Sequence, residues 1–511
     1  MKKIAKVLLS RIVIVGVLIL LQAAFLVVAI WRLSEEFVYL QPILIVLSGL
    51  CAVWVISKDD NPAYKIPWIL IVMALPIFGG LFYVFFGNNK VPRALRGRVS
   101  EIYDKTKDEL IANRVVTEEI ESMSRHTAKQ SLYISNNSFY PVYKNTETCY
   151  LSPGERMFEK LVEELEKAQH FIFMEYFIVQ AGVMWDTVLE ILERKAAQGV
   201  DVRMLYDDVG SLVTLPSGYY KELRQKGIKC YAFNKFRPRL QMQMNNRDHR
   251  KITVIDGYVG FTGGINLADE YINGYEKHGH WKDASIMLKG EAVWNLTVMF
   301  LQFWQYETKK GEEFSQFRPE RYMPAPCESD GYVQPYADSP MDDEIVGEQV
   351  YLNIINNATE YVYINTPYLI VDNEVVTALN LAAKSGIDVR IVTPHVPDKW
   401  YVHMVTRSYY KQLLEAGVKI YEYTPGFIHS KTFVADDKVA VVGTTNLDFR
   451  SLYLHFECGV WMYRSKAVLQ LKKDFLQTLE CCEQMTMKKY NAIPLYKRMF
   501  AAVLRVFSPL M

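Results

Sequence analysis

The chain reads His249-Arg250-Lys251-Ile252-Thr253-Val254-Ile255-Asp256, and Gly263-Gly264-Ile265-Asn266 follows shortly after. The same constellation returns as His429-Ser430-Lys431-Thr432-Phe433-Val434-Ala435-Asp436 with Gly443-Thr444-Thr445-Asn446. Both copies are H-x-K-x4-D-x6-G-x-x-N. With each letter at about one in twenty, a three-letter pattern arises by chance at roughly one position in several thousand. Two copies with the same downstream Gly and Asn therefore point to a duplicated unit. On an extended segment side chains alternate with period two, so each His shares a face with its Lys.

The text around the two motifs repeats as well. Phe171–Ile178 reads as a buried strand after an amphipathic helix near Met157–Gln169, and a helix over Trp185–Gln198 leads to a second strand, Gly199–Tyr206. Tyr361–Tyr368, Val375–Lys384 and Gly386–Val392 repeat that strand, helix and strand, and Gly227–Tyr231 matches Gly417–Tyr421. Strands alternating with helices predict an α/β class with a substantially parallel sheet in each copy. The first copy carries an extra loop before its His motif, containing Arg237, Pro238, Arg239 and Arg247.

At 511 residues the chain is long enough for two or three domains. The formal net charge of +1 argues against a broad nucleic-acid-binding surface, so no nucleic acid is expected as a partner. Seven scattered cysteines, with no C-x-x-C pair, predict neither a disulfide framework nor a zinc site. Three apolar stretches open the chain, near Ile12–Trp31, Phe37–Ile56 and Ile66–Phe86, each long enough to cross about 30 Å of hydrocarbon as a helix. Lys2, Lys3, Lys6 and Arg11 favour a cytoplasmic N-terminus, whereas Lys90, Arg93, Arg96 and Arg98 favour a cytoplasmic exit. Three full spans cannot satisfy both. The third stretch, interrupted by Pro76, Gly79 and Gly80, is the candidate for a re-entrant or interfacial segment.

The paired motifs resemble the signature of the phospholipase D superfamily. The flanking text narrows this. Asn246–Lys251, Gly263–Tyr271, Trp281-Lys282-Asp283, Thr366-Pro367-Tyr368, Asn446–Ser451, Leu75–Gly87 and the closing Phe507–Leu510 look like bacterial cardiolipin synthases. The resemblance covers nearly everything from about residue 140 onward; the departure is one apolar segment more at the front than the family's expected two.

The resemblance implies two pseudo-symmetric phospholipase D-type α/β/α sandwich domains in one chain, preceded by transmembrane helices. The expected division is a membrane anchor at 1–90, a linker at 91–135, domains at 136–320 and 321–482, and a basic amphipathic segment at 483–511. In the last, Lys488, Lys489, Lys497, Arg498 and Arg505 alternate with apolar residues, as in a helix lying on anionic lipid. The expected location is the cell membrane, multi-pass, with the catalytic part cytoplasmic.

The implied chemistry needs no metal and no cofactor. Two Lys and two Asn (Lys251, Lys431, Asn266, Asn446) would bind the phosphate and stabilise its oxygens. One imidazole would attack phosphorus, and the other would protonate the leaving alcohol and then deprotonate the incoming one. Family resemblance makes His249 the nucleophile and His429 the acid–base; the sequence itself does not separate the two. Asp256 and Asp436 complete the catalytic signature, with a structural place near the strand end. Asp283 and Glu457 are expected to fix the tautomer of the imidazole in their own halves.

The implied reaction passes a phosphatidyl group from one phosphatidylglycerol to another, releasing glycerol. Alternatives are a hydrolytic phospholipase D, a transferase using another donor such as phosphatidylethanolamine, a nuclease, and a lipid-binding scaffold. A homo-oligomer is compatible with the sequence.

Overall fold

A computed structural model describes residues 24, 28, 41–75, 79–87, 93–235, 246–328, 331–342 and 344–510. The chain divides into two compact units. One comprises Met1–Pro92, Lys235–Asn245 and Val503–Met511; the other comprises Arg93–Asn234 and Asn246–Ala502.

In the smaller unit three helices are described: α1 (Gln41–Ser57), α2 (Pro62–Ala74) and α3 (Gly79–Phe86). Val55, Trp68, Val72 and Tyr83 form its core, with Leu510 packed against them. Lys58 donates to the Tyr83 hydroxyl at 2.8 Å. The first apolar stretch lies outside the described residues except for Ala24 and Val28. The second is the 17-residue α1, about 25 Å long at 1.5 Å per residue. The third forms two helices, because Leu75 leaves helical geometry at φ −122°, ψ 66°. Among the described residues no helix is long and apolar enough to cross a membrane.

Among the described residues the larger unit holds two large sheets and two short two-stranded ones. The first contains β1 (Thr146–Leu151), β2 (Phe171–Tyr176), β3 (Asp201–Asp207), β4 (Lys229–Phe233), β5 (Ile252–Ile255) and β6 (Val259–Gly263). After a short β7 (His280–Lys282), β8 (Ser285–Gly290) completes it in the order β1-β8-β6-β5-β2-β3-β4. The second contains β9 (Tyr332–Asp338), β10 (Tyr361–Asn365), β12 (Asp388–Pro394), β13 (Lys419–Tyr423), β15 (Thr432–Ala435), β16 (Val439–Gly443), β18 (Glu457–Tyr463) and β19 (Cys482–Met485). Its order is β19-β13-β12-β10-β15-β16-β18-β9. The short strands β11 (Leu369–Ile370), β14 (Gly426–Ile428) and β17 (Leu447–Asp448) lie outside it.

Within the two large sheets parallel pairing is confined to β2-β3-β4 and β10-β12-β13. The expectation of substantially parallel sheets is therefore corrected: both sheets are mixed. The reason is the motif itself. Each His-x-Lys strand ends at an Asp with left-handed φ (+47° at Asp256, +53° at Asp436) and turns straight back into an antiparallel partner.

Helices cover both faces of each sheet. On β2, Ile172 and Met174 join the core with α4 (Gly154–Lys167) and α5 (Val183–Ala197). Phe173, on the opposite face by alternation, stacks on Phe300 of α6 (Val293–Thr308), with ring centroids 4.7 Å apart. In the second sheet Phe433 stacks on Tyr351 of α7 (Val346–Asn357). On the other side Tyr363 stacks on Phe475 of α10 (Lys466–Leu479). Between them in sequence lie α8 (Asn373–Lys384) and α9 (Trp400–Ser408), and the last helix is α11 (Leu495–Val506).

The region expected as a linker packs on the catalytic unit. Gln130, Ser131 and Ile134 of the helix Arg125–Asn137 are buried, and Ser131 donates to Gln334 of β9 at 2.8 Å. Of the extra loop, Arg247 is buried and paired with Asp207 at 3.0 Å, while Arg237, Pro238 and Arg239 lie outside the described residues.

Candidate active site

The two motifs are held by backbone from the opposite half. The amide of His249 donates to the Phe456 carbonyl at 2.9 Å, and the amide of Phe456 donates to that of Arg247 at 2.9 Å. In the other half-site β14 pairs in parallel with β7, and the amide of His429 donates to the Lys282 carbonyl at 2.7 Å. Each His segment thus lies beside the segment that carries the other half's acid.

This crossing decides the carboxylate partners. His249 Nδ1 lies 2.9 and 3.0 Å from the two oxygens of Glu457, and His429 Nδ1 lies 2.6 Å from Asp283 Oδ2. The expectation that each acid serves its own half is corrected: Glu457 orients His249, and Asp283 orients His429. A carboxylate accepts a hydrogen bond from Nδ1–H and so leaves Nε2 as the reactive nitrogen. Thr444 donates to Glu457, a contact that the spacing did not predict.

Burial sets the charges. It lowers His249 to about 3, with Lys251 pushing the same way against Glu457. It lowers His429 to about 4, again with its neighbouring lysine, Lys431, adding to the effect. Burial also lowers Lys251 to about 8 and Lys431 to about 7. Glu457 is pushed up by burial but ends below the usual carboxylate range, because His249 and His455 stabilise its charge. Lys431 responds to Lys251, Asp283 and Glu457 together, so the charges of both halves act in one site. The arrangement offers two neutral imidazoles and two ammonium groups whose protonation an incoming phosphodiester anion would favour.

The remaining expected residues divide into two groups. Asn266 accepts from the Ile178 amide at 2.9 Å and donates to the Tyr271 hydroxyl at 2.7 Å. Asn446 donates to Ser451 at 3.1 Å, and its buried Oδ1 has no partner among the described residues. Each amide group keeps one further N–H for a ligand. Asp256 and Asp436, counted with the catalytic residues by the signature, are structural. Asp256 accepts the amides of Gln169, His170 and Phe171 at 2.7–2.8 Å, and Asp436 accepts those of Thr359, Glu360 and Tyr361 at 2.7–3.0 Å. The x4 spacing exists because β5 and β15 run antiparallel to β2 and β10, which puts each Asp at the start of its neighbour strand.

His455 was not anticipated. Its ring lies 5.4 Å from that of His249 and its Nδ1 lies 3.7 Å from Glu457. His249, His455 and Glu457 are the one group of three or more His, Cys, Asp or Glu among the described residues whose possible metal-ligand atoms come within 4.8 Å of one another. Glu457 is already engaged by His249 and Thr444, and the neighbouring Lys251 repels a cation, so the group reads as a hydrogen-bonded His249–Glu457–Thr444 set with the His455 imidazole beside it.

Duplicated mixed sheets that pool two His-x-Lys units into one buried site define a phospholipase D-type enzyme. Residues 161–293 and 351–479 match the family model described as "Cardiolipin synthase, PLD-like domain", and 46–88 match a "Phospholipase_D-nuclease N-terminal" model. A cardiolipin synthase of Halalkalibacterium halodurans is 35% identical over 98% of this chain and 99% of its own. An uncharacterized protein of Streptococcus mutans is 42% identical over 90% of this chain and 99% of its own. Among solved structures, a phosphatidylserine synthase of Haemophilus influenzae superposes with a TM-score of 0.56 at 14% identity, over 75% of this chain and all of that one, a likeness of fold. The chain belongs to the cardiolipin synthase family of the phospholipase D superfamily.

Proposed function

We propose that this phosphatidyltransferase joins two phosphatidylglycerol molecules into cardiolipin and glycerol, with His249 as nucleophile and His429 as acid–base. The observation that carries the proposal is the crossed pair of His–carboxylate contacts beside two buried lysines. His249 Nε2 attacks phosphorus while His429 gives a proton to the departing glycerol oxygen. The free hydroxyl of a second phosphatidylglycerol then loses its proton to His429 and displaces His249 from phosphorus. One phosphodiester replaces another, so the exchange consumes no nucleotide. Lys251 and Lys431, with the spare N–H of Asn266 and Asn446, hold the non-bridging oxygens.

The site of action is the bilayer. The apolar N-terminal stretches anchor the chain as a multi-pass protein with its catalytic part cytoplasmic. The support is the apolar surface of α1 and α2, where Val46, Leu50, Val53 and Met73 are exposed. Anchoring raises the local concentration of lipid alcohol over that of water at the phosphohistidine.

The test is full-length protein in detergent with phosphatidylglycerol and a chelator, with lipid products identified by mass spectrometry. Cardiolipin with glycerol is the expected result. Phosphatidic acid alone would make the enzyme a hydrolase.

A further inference from the structure

The end of the catalytic unit carries a surface that the transfer reaction does not use. A groove of about 380 Å³ runs between α9 and the first turns of α11. Trp400, Met404, Ile493 and Phe500 line its apolar part, and Lys497 and Arg498 line its basic part. Trp400 stands 62% exposed and stacks at 6.4 Å on Phe500, itself 47% exposed. Leu495, Tyr496 and Met499 continue the exposed apolar surface. So many large apolar side chains in water mark a contact surface rather than an ordinary exterior.

The charge on this surface has one sign. From Thr486 to the end of the chain there are five basic residues and no acidic one. Two nearby cations are already neutralised: Arg407 binds the buried Glu422 at 2.6 Å, and Lys489 binds Glu483 at 2.7 Å. Among the described residues neither Lys497 nor Arg498 has a carboxylate partner, and the buried Nε of Arg498 has no hydrogen-bond partner at all. An occupant that satisfies the groove must therefore be anionic at the Lys497–Arg498 end and apolar along Trp400 and Phe500. A phospholipid with a negatively charged headgroup has both properties, and an aromatic ring beside basic side chains is the arrangement that settles at a lipid–water boundary.

We infer that the α9–α11 groove binds the headgroup of an anionic phospholipid of the bilayer, with Trp400 and Phe500 set among its acyl chains. This inference rests on the reading of the chain as a membrane lipid enzyme. It adds a second lipid site that holds the catalytic unit on negatively charged membrane without taking part in transfer.

The test places full-length protein in nanodiscs made with brominated phosphatidylglycerol or with brominated phosphatidylcholine. The emission of Trp400 is isolated by difference from a Trp400→Phe variant. Its quenching by brominated phosphatidylglycerol, with loss of that quenching in Lys497→Glu/Arg498→Glu, is the expected result. Equal quenching by both lipids would remove the headgroup preference, and no quenching by either would mean that a protein surface covers the groove; each overturns the inference. Cardiolipin formation by the same samples is measured separately. Failure of the groove inference leaves that activity intact, whereas failure of the synthase reading leaves the quenching intact.

Discussion

The two half-sites share a skeleton but not their surroundings. Around His429 the neighbours are aromatic: Trp281, Tyr271 and Phe427 lie with ring centroids 5.2–5.8 Å away. Around His249 they are Phe177 at 4.9 Å and a third imidazole, His455, at 5.4 Å. Trp281 and His455 each stand two residues before the orienting acid, so they occupy equivalent positions. The acids differ in the same way. Gly264 leaves room for Asp283, whose carboxylate a Cβ there would strike, whereas its counterpart Thr444 donates its hydroxyl to Glu457. Duplication supplied two equal histidines. Their neighbours make one half-site aromatic and the other richer in polar groups, the kind of difference that lets one imidazole attack while the other moves protons.

Removing either imidazole should have the largest effect. His249→Ala should abolish transfer and phosphoenzyme formation, while His429→Ala should lower turnover by about 10²–10⁴-fold but still permit attack on a substrate with a good leaving group. Single-turnover assays with phosphatidylglycerol and an activated phosphatidyl ester check the split.

Lysine replacement comes next. Lys251→Met and Lys431→Met should each cost about 10²–10³-fold in turnover. Both lysines titrate far below their ordinary 10.5 in the folded chain, at about 8 and about 7. As the pH rises through that range the free enzyme loses its phosphate-binding charge, so kcat/KM should fall on the alkaline side. Above those values the unfolded chain binds more protons than the folded one, so stability should rise with pH toward 10.5. The same imbalance means that the Met variants should melt several degrees higher than the parent near neutral pH, as scanning calorimetry would show.

The crossing can be broken one acid at a time. Glu457→Gln and Asp283→Asn should each cost about 10–100-fold in activity, the scale seen when the partner orienting a ligand histidine is lost. In NMR spectra of histidine-labelled protein, Glu457→Gln should move the resonances of His249 and leave those of His429, with the reverse for Asp283→Asn. Shifts confined to the histidine of the same half would contradict the crossed geometry. The smallest effect is expected from His455→Asn. It removes an imidazole 3.7 Å from Glu457 and should change turnover in the transfer assay by no more than about tenfold.

Much of this was legible in the sequence, because the reactive residues are close in sequence and recur at fixed spacing. His249 with Lys251 and His429 with Lys431 announce themselves in this way, and Asp256 and Asp436 sit at strand ends as the spacing implies. The crossing was hidden. Asp283 lies 34 residues after His249 and Glu457 lies 28 after His429, the histidines they do not serve; the pairing of β7 with β14 brings Asp283 to His429, and the backbone bonds of Phe456 with Arg247 and His249 bring Glu457 to His249. His455 gave no signal, because its partner position holds Trp281 and no repeat marks it. Sheet direction was misjudged since a strand–helix–strand pattern shows the parallel half and conceals the hairpins after each motif Asp.

The most direct test of the two-histidine account is to quench the reaction with labelled phosphatidylglycerol and map the covalently held phosphatidyl group by peptide mass spectrometry. The label should sit on the peptide containing His249, persist in His429→Ala when a labelled activated phosphatidyl ester replaces phosphatidylglycerol, and vanish in His249→Ala. Label on the His429 peptide, or no covalent intermediate in any form of the enzyme, would contradict it.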